Sequence, residues 1–235
     1  MTVIVIFLAI IAVIVLWWSA HHRLASKPWL EVGLLPDARG ASRLPIEPAR
    51  VGLGVFLGVV GALFALLISA YFMRMTAADW WATPVPRLLW VNTAALALSS
   101  ASVEWAKFEA RRGRSDVMLI ALLLGLSTAV LFITGQVMAW RELVAAGYVL
   151  ADNPANSFFY MLTGLHGLHI LGGLAVLGRT TAHAFDGRFP RRRLLLSLDL
   201  CAIYWHFMLF VWLVLFALFE GWANDFVDLC RQLIS

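Results

Sequence analysis

The chain has 235 residues, of which 62% are hydrophobic and 14% charged, against roughly 25% charged in an average soluble domain. A mean hydropathy of +0.84, with charges gathered in short clusters between long apolar stretches, excludes a water-soluble globular fold and indicates an all-α, polytopic transmembrane helical bundle. The net charge of +4, from 18 Lys and Arg against 14 Asp and Glu, reads as membrane topology before it reads as a nucleic-acid surface, and no nucleic-acid partner is expected.

Six stretches are long enough to cross a hydrocarbon core of roughly 20 helical residues. The first, 2–18, has no Lys or Arg ahead of its apolar run and no small-x-small cleavage site before His21, so it is expected to persist as a helix. Residues 19–49 follow with Pro28, Pro36, Pro45 and Pro48, which predicts an extended crossing of the cytoplasmic surface. The remaining spans fall at 50–73, 88–106, 117–140, 157–178 and 198–219. Two units result: 1–49 as an N-terminal transmembrane helix with its cytoplasmic linker, and 50–235 as a five-helix core with a short tail. Cys201 and Cys230 make neither a disulfide framework nor a CxxC site.

Basic residues set the orientation, because cytoplasmic loops collect them. Fourteen fall in the first, third and fifth loops, including Arg23, Lys107, Arg111 and the run Arg191 to Arg193, while four fall on the other side. Both termini are therefore predicted on the outer, periplasmic side of a bacterial inner membrane. Trp17, Trp18, Trp80, Trp81, Trp90, Trp105, Trp140 and Trp222 lie at or near the predicted interfaces, where an amphipathic ring is favoured.

Ionisable groups at membrane depth are the usual functional candidates, since an unpaired charge there costs about 2.5–3.5 kcal/mol. Few are present. Glu104 is placed to reach Lys107 or Arg111 as an interfacial ion pair, and Gln136 to bond across to a neighbouring helix. His166, His169 and His206 are the sharper case, because His169 and His206 come out at similar depths on adjoining antiparallel spans. That spacing permits a two-histidine haem site, whereas no carboxylate or thiolate lies at ligand spacing and neutral imidazoles bonding to neighbours serve equally well. Gly164, Gly167, Gly172 and Gly173 around these histidines predict close helix approach, with Gly167→Leu expected to block it. No catalytic triad, paired carboxylate or nucleophile elbow is found, so no catalytic, cofactor-binding or metal-ligating residue is assigned.

Four strings in register carry a resemblance: NTAALALSS at Asn92 to Ser100 followed by Trp105, Gln136, SFFYMLTGLHGLHILGG at Ser157 to Gly173, and YWHFMLFVWLVLF at Tyr204 to Phe216. Together, over about residues 50–219, they closely resemble subunit III of haem-copper oxidases. The resemblance implies an all-helical subunit without redox cofactors that packs on subunit I and binds phospholipids. Its complex, with subunits I and II holding haem and copper, would take electrons from cytochrome c, reduce oxygen and pump protons. Asn92, Trp105, Gln136, Gly164, His166, Gly167, His169, Trp205, His206 and Trp212 are then candidates for structural, subunit or lipid contact.

This sequence departs from the family in three ways. One helix precedes the matching region instead of two. Val59 and Val60 stand where the family commonly has a reactive glutamate, and Leu209 where it has an aspartate. These losses point away from proton traffic and toward assembly, lipid packing and stability of subunit I. A partner of a quinol oxidase or nitric oxide reductase, or a two-histidine membrane cytochrome, are the alternatives.

Overall fold

The computed structural model describes residues 48–187 and 190–221. The predicted span at 2–18, its linker and Cys230 lie outside the described residues. Five helices are seen: α1 (Pro48–Arg74), α2 (Leu88–Arg112), α3 (Ser115–Ala145), α4 (Pro154–Asp186) and α5 (Arg191–Phe219). Each covers one of the five remaining predicted spans and runs past it. The overruns have local causes. At the start of α4, Asn153 accepts a hydrogen bond from the Ala155 N–H (3.1 Å), with Pro154 in the first turn, where its missing N–H costs nothing. At the ends, Gly113 (φ 78°) stops α2 and Gly187 (φ 62°) stops α4 in a left-handed conformation that a Cβ disfavours.

Four of these helices, α1, α3, α4 and α5, are long and apolar enough to cross a membrane. The fifth, α2, has the length, at 25 residues, but Asn92, Ser99, Ser100 and Ser102 lower its hydropathy. All four are buried. Asn92 and Ser99 bond to α3 and Ser102 to the Leu98 carbonyl of its own helix, so average hydropathy understates how well this helix suits a membrane.

The packing is a ring of four helices, α2 on α3, α3 on α4, α4 on α5 and α5 back on α2, with α1 outside it against α4 and α5 only. Small residues bring α2 and α3 together: Ala106, Ala121 and Ala129 are fully buried, and Ser99 donates to the Gly125 carbonyl at 2.8 Å. The turn between α2 and α3 is framed by Glu109, flanked by Arg112 (3.8 Å) and Arg114 (3.3 Å). Helix α1 packs through Leu57, Val60 and Phe64, the last two in a cluster with Leu162, Val211 and Leu215.

Beyond α1 the chain turns at Arg74, whose guanidinium holds Asp79 by two bonds, 2.8 and 2.5 Å. The hydrogen bond from Arg74 keeps the Asp79 carboxyl below its ordinary pKa. A lowered folded value means that the pair's support for the turn is complete above the ordinary carboxylate pKa of about 3.9, and is lost as pH falls through the lower folded one. Amide exchange over residues 75–80 is expected to be slower than in Asp79→Asn at pH 7, with the difference lost as pH falls through the lowered folded value. Equal exchange at pH 7 would mean that the pair does not order the turn.

Candidate functional site: polar cross-links and an apolar groove

Where lipid surrounds a bundle, the hydrophobic effect does not distinguish a neighbouring helix from a lipid tail, so interhelical hydrogen bonds and close packing must supply specificity. Two indole rings do this for α5. The Trp205 Nε1–H donates to Ser99 Oγ at 2.6 Å, and the Trp212 Nε1–H to Thr93 Oγ1 at 2.9 Å, both on α2. Both tryptophans are fully buried. Trp140 on α3 donates likewise to Thr163 on α4 (3.1 Å), and the Tyr204 hydroxyl on α5 donates to the His169 carbonyl on α4 (2.6 Å).

Asn92 and Gln136 meet across α2 and α3, Nδ2 to Oε1 at 3.4 Å, the cross-helix bond expected of Gln136. The facing α3 residue is Gly135, where a Cβ would fall on the Asn92 carboxamide. His166 is buried between Phe132, Phe64 and Trp212, with ring centroids 5.6, 6.3 and 5.1 Å away. Its Nε2–H donates to the Met208 carbonyl at 3.1 Å, since a carbonyl can only accept. Trp105, by contrast, is exposed on the outer surface of α2.

The other histidines go separate ways. His169 donates from Nδ1 to Leu165 O (2.8 Å), and His206 from Nδ1 to Ala202 O (2.6 Å), each within its own helix. His169 lines a groove with Tyr204 of α5, whereas His206, two residues along and so about 200° around the helix, is exposed on the far side. A shared axial site is not formed, because His169 of α4 lines the groove on one side of α5 and His206 lies on the other. Among the described residues no group of three metal-ligating side chains is found.

The groove, about 550 Å³ in volume, lies between α1, α4 and α5 and is lined chiefly by apolar groups, among them Leu53, Phe56, Gly172, Val176 and Leu200. It lies beside Leu53 and Phe56 of α1, whose buried residues are Leu57, Val60 and Phe64. Close approach between α4 and α5 occurs at Gly173, whose Cβ would strike the Tyr204 and Trp205 rings. Gly164 has ordinary contact with Trp140 (3.7 Å) and Gly167 only touches Ile133 (4.0 Å). Of the four glycines expected to allow close approach, Gly173 makes the tight contact within this bundle, because it faces two aromatic rings where Gly167 faces a side-chain tip.

At one end of the bundle Asp199 gathers three cations, Arg50 of α1 at 2.8 Å and Arg111 and Lys107 of α2 at 3.5 and 3.9 Å. Lys107 also pairs with Glu104 at 2.6 Å, as expected of that glutamate. Sequence reasoning passed over Asp199, although it is the only acidic residue within 198–219. It also missed Ser99, Thr93 and Thr163, whose hydroxyls look ordinary until an indole is placed beside them. Of the adjoining valines on α1, Val60 is buried and Val59 is 64% exposed.

A helical bundle that is closed by indole and amide cross-links and carries broad apolar outer faces defines a multi-pass membrane protein. Residues 82–224 match the family described as Cytochrome c oxidase subunit III. Over 180 residues the chain is 33% identical to the probable cytochrome c oxidase subunit 3 of Mycobacterium leprae, covering 71% of this chain and 84% of that one. A similar likeness, 32% over 188 residues, joins it to the Nocardia farcinica protein of that description, covering 73% and 87%. It is 30% identical over 138 residues to cytochrome c oxidase subunit 3 of Ornithorhynchus anatinus, covering 57% of this chain and half the length of the platypus one. The chain belongs to the cytochrome c oxidase subunit III family, which carries no metal centre.

Proposed function

We propose that this chain is the non-catalytic third subunit of a respiratory terminal oxidase, supporting assembly, lipid packing and stability of subunit I. In this reading its partners are subunits I and II, which hold haem and copper, with cytochrome c as donor to the complex. The membrane is a bacterial inner membrane, with the Arg50 and Asp199 end toward the cytoplasm. The observation that carries the reading beyond family membership is Val60. Two valines in the neighbourhood where the family commonly has a glutamate, Val60 among them buried in one cluster with Phe64 and Val211, support a packing role over a proton-carrying one. The apolar groove beside His169 is suited to an acyl chain, since its walls offer dispersion contacts and few polar groups.

The experiment is purification from native membranes in mild detergent, with a visible absorption spectrum and mass identification of the co-purifying chains. A haem spectrum together with a subunit I is expected, and the companion subunit identifies the donor. A solitary chain would remove the proposal. In a strain lacking the chain, loss of assembled oxidase is expected. Normal assembly with a turnover defect restored by added buffer protons would favour a direct role in proton uptake instead.

A further inference from the structure

Two polar groups inside the four-helix ring are served by no other side chain. Gln136 on α3 is 2% exposed and His166 on α4 is 0% exposed. Neither Gln136 Nε2 nor His166 Nδ1 has a hydrogen-bond partner among the described residues. Both lie within spans, where lipid tails offer no partner, and a buried polar group left unpaired bears its full desolvation cost.

The packing brings these two groups together. On α3, Phe132 and Trp140 stand one helical turn before and after Gln136, on its side of the helix. Phe132 packs on the His166 ring, with centroids 5.6 Å apart, and Trp140 donates to Thr163, one turn before His166. Gln136 therefore faces α4 between those two contacts, beside His166. Asn92 of α2 lies in the same layer, because its neighbour Thr93 receives the Trp212 N–H and the Trp212 ring is 5.1 Å from that of His166.

The bonds already made dictate what each atom still needs. The Met208 carbonyl, 3.1 Å from His166 Nε2, can only accept, so Nε2 carries the proton. A charged ring is costly within a span, and the neutral ring then keeps a lone pair on Nδ1. Gln136 Oε1 accepts from Asn92 Nδ2 at 3.4 Å, which leaves the Gln136 amide with protons to give. One group is a donor and the other an acceptor, yet they do not reach each other. Whatever joins them must accept one hydrogen bond, donate another and fit a site closed to lipid. An ion would suit only one of the two. Water suits both, and it commonly bridges buried groups that lack other partners.

We infer that a buried water molecule links α3 to α4, accepting from Gln136 Nε2–H and donating to His166 Nδ1. With it, hydrogen bonds run from Asn92 to Gln136, to the water, to His166 and to the Met208 carbonyl, with one link on each of α2, α3, α4 and α5. Every donor points the same way along this chain, so each bond polarises the next. A single polar chain thus fastens all four helices of the ring from inside, whereas each indole bond joins only two. The inference concerns the interior of the bundle and does not depend on the subunit reading.

The test is a cryo-electron microscopy map of the full chain, purified from native membranes with the chains that accompany it, at a resolution that shows ordered waters elsewhere in the bundle. A density peak within hydrogen-bonding distance of both Gln136 Nε2 and His166 Nδ1 is expected. Magnetic resonance of the chain carrying nitrogen-labelled histidine reads the same contact independently, as magnetisation passed from water protons to the His166 ring. That signal is expected in the unaltered chain and in Thr134→Val, which removes only an exposed hydroxyl of α3. It is expected to vanish in Gln136→Leu, with the Nδ1 resonance moving to its unbonded position. A map that shows other waters but none between these side chains, or that shows Gln136 donating directly to His166, would overturn the inference. So would a water signal that Gln136→Leu leaves unchanged. Should that variant fail to fold, the map of the unaltered chain decides by itself.

Discussion

Replacing Gly173 with alanine is expected to lower the stability of the bundle by about 1–3 kcal/mol, the usual cost of forcing atoms into a filled core. The added Cβ would lie 2.7 Å from Trp205 Cζ3 and meet the Tyr204 ring as well. Neither ring can yield freely, because each is tied by a hydrogen bond, Trp205 to Ser99 and Tyr204 to the His169 carbonyl. The adjoining Gly172→Ala change is the control, since nothing lies within 4 Å of that position. It is expected to be neutral or slightly stabilising, as alanine favours helix over glycine by up to about 1 kcal/mol. Thermal loss of helical circular dichroism in detergent measures both, and equal midpoints would show that α4 and α5 do not meet at Gly173. Gly167→Leu, the substitution that the sequence singles out, is expected to be the milder one in this assay.

Trp205 gives the second large effect. Trp205→Ala is expected to cost about 3–5 kcal/mol, the range for truncating a large buried aromatic, because the ring is fully buried at the junction of α2, α4 and α5. Trp205→Phe keeps most of the volume and loses only the N–H, which within a membrane is worth about 0.6 kcal/mol on average. Ser99 would still donate to the Gly125 carbonyl at 2.8 Å, so no buried group is left without a partner. Ser99→Ala is the harsher polar change, because it leaves the indole N–H buried and unsatisfied at about 1–3 kcal/mol. The expected order of loss is Trp205→Ala, then Ser99→Ala, then Trp205→Phe, read as midpoints of thermal unfolding of the purified chain. If Phe cost as much as Ala, the hydrogen bond rather than ring volume would hold α5 to α2.

The same residues show how much was legible beforehand. Helix positions followed from apolar length, whereas their ends, set by Asn153 with Pro154, Gly113 and Gly187, lie beyond the apolar stretches and were not read. The pairings of Glu104 with Lys107 and of Gln136 with a neighbouring helix were also readable, because a charge near an interface and a lone amide within a span have few options. The partners of Trp205 and Trp212 were not, since those bonds join residues 106 and 119 positions apart. His206 and His169 looked like a pair from their depths, yet only the rotation of α5 decides that one ring enters a groove and the other faces outward.

What the sequence determined by itself, then, is the resemblance to the subunit III family and the multi-pass helical character, both of which reside in contiguous residues. Tertiary structure alone decided that α1 stands outside the four-helix ring, that of the four glycines on α4 Gly173 makes the tight contact, and that Asp199 collects Arg50, Lys107 and Arg111. The physical reason is the solvent: lipid is as apolar as a helix interior, so a membrane helix carries no hydrophobic contrast along its sequence to mark which side is buried.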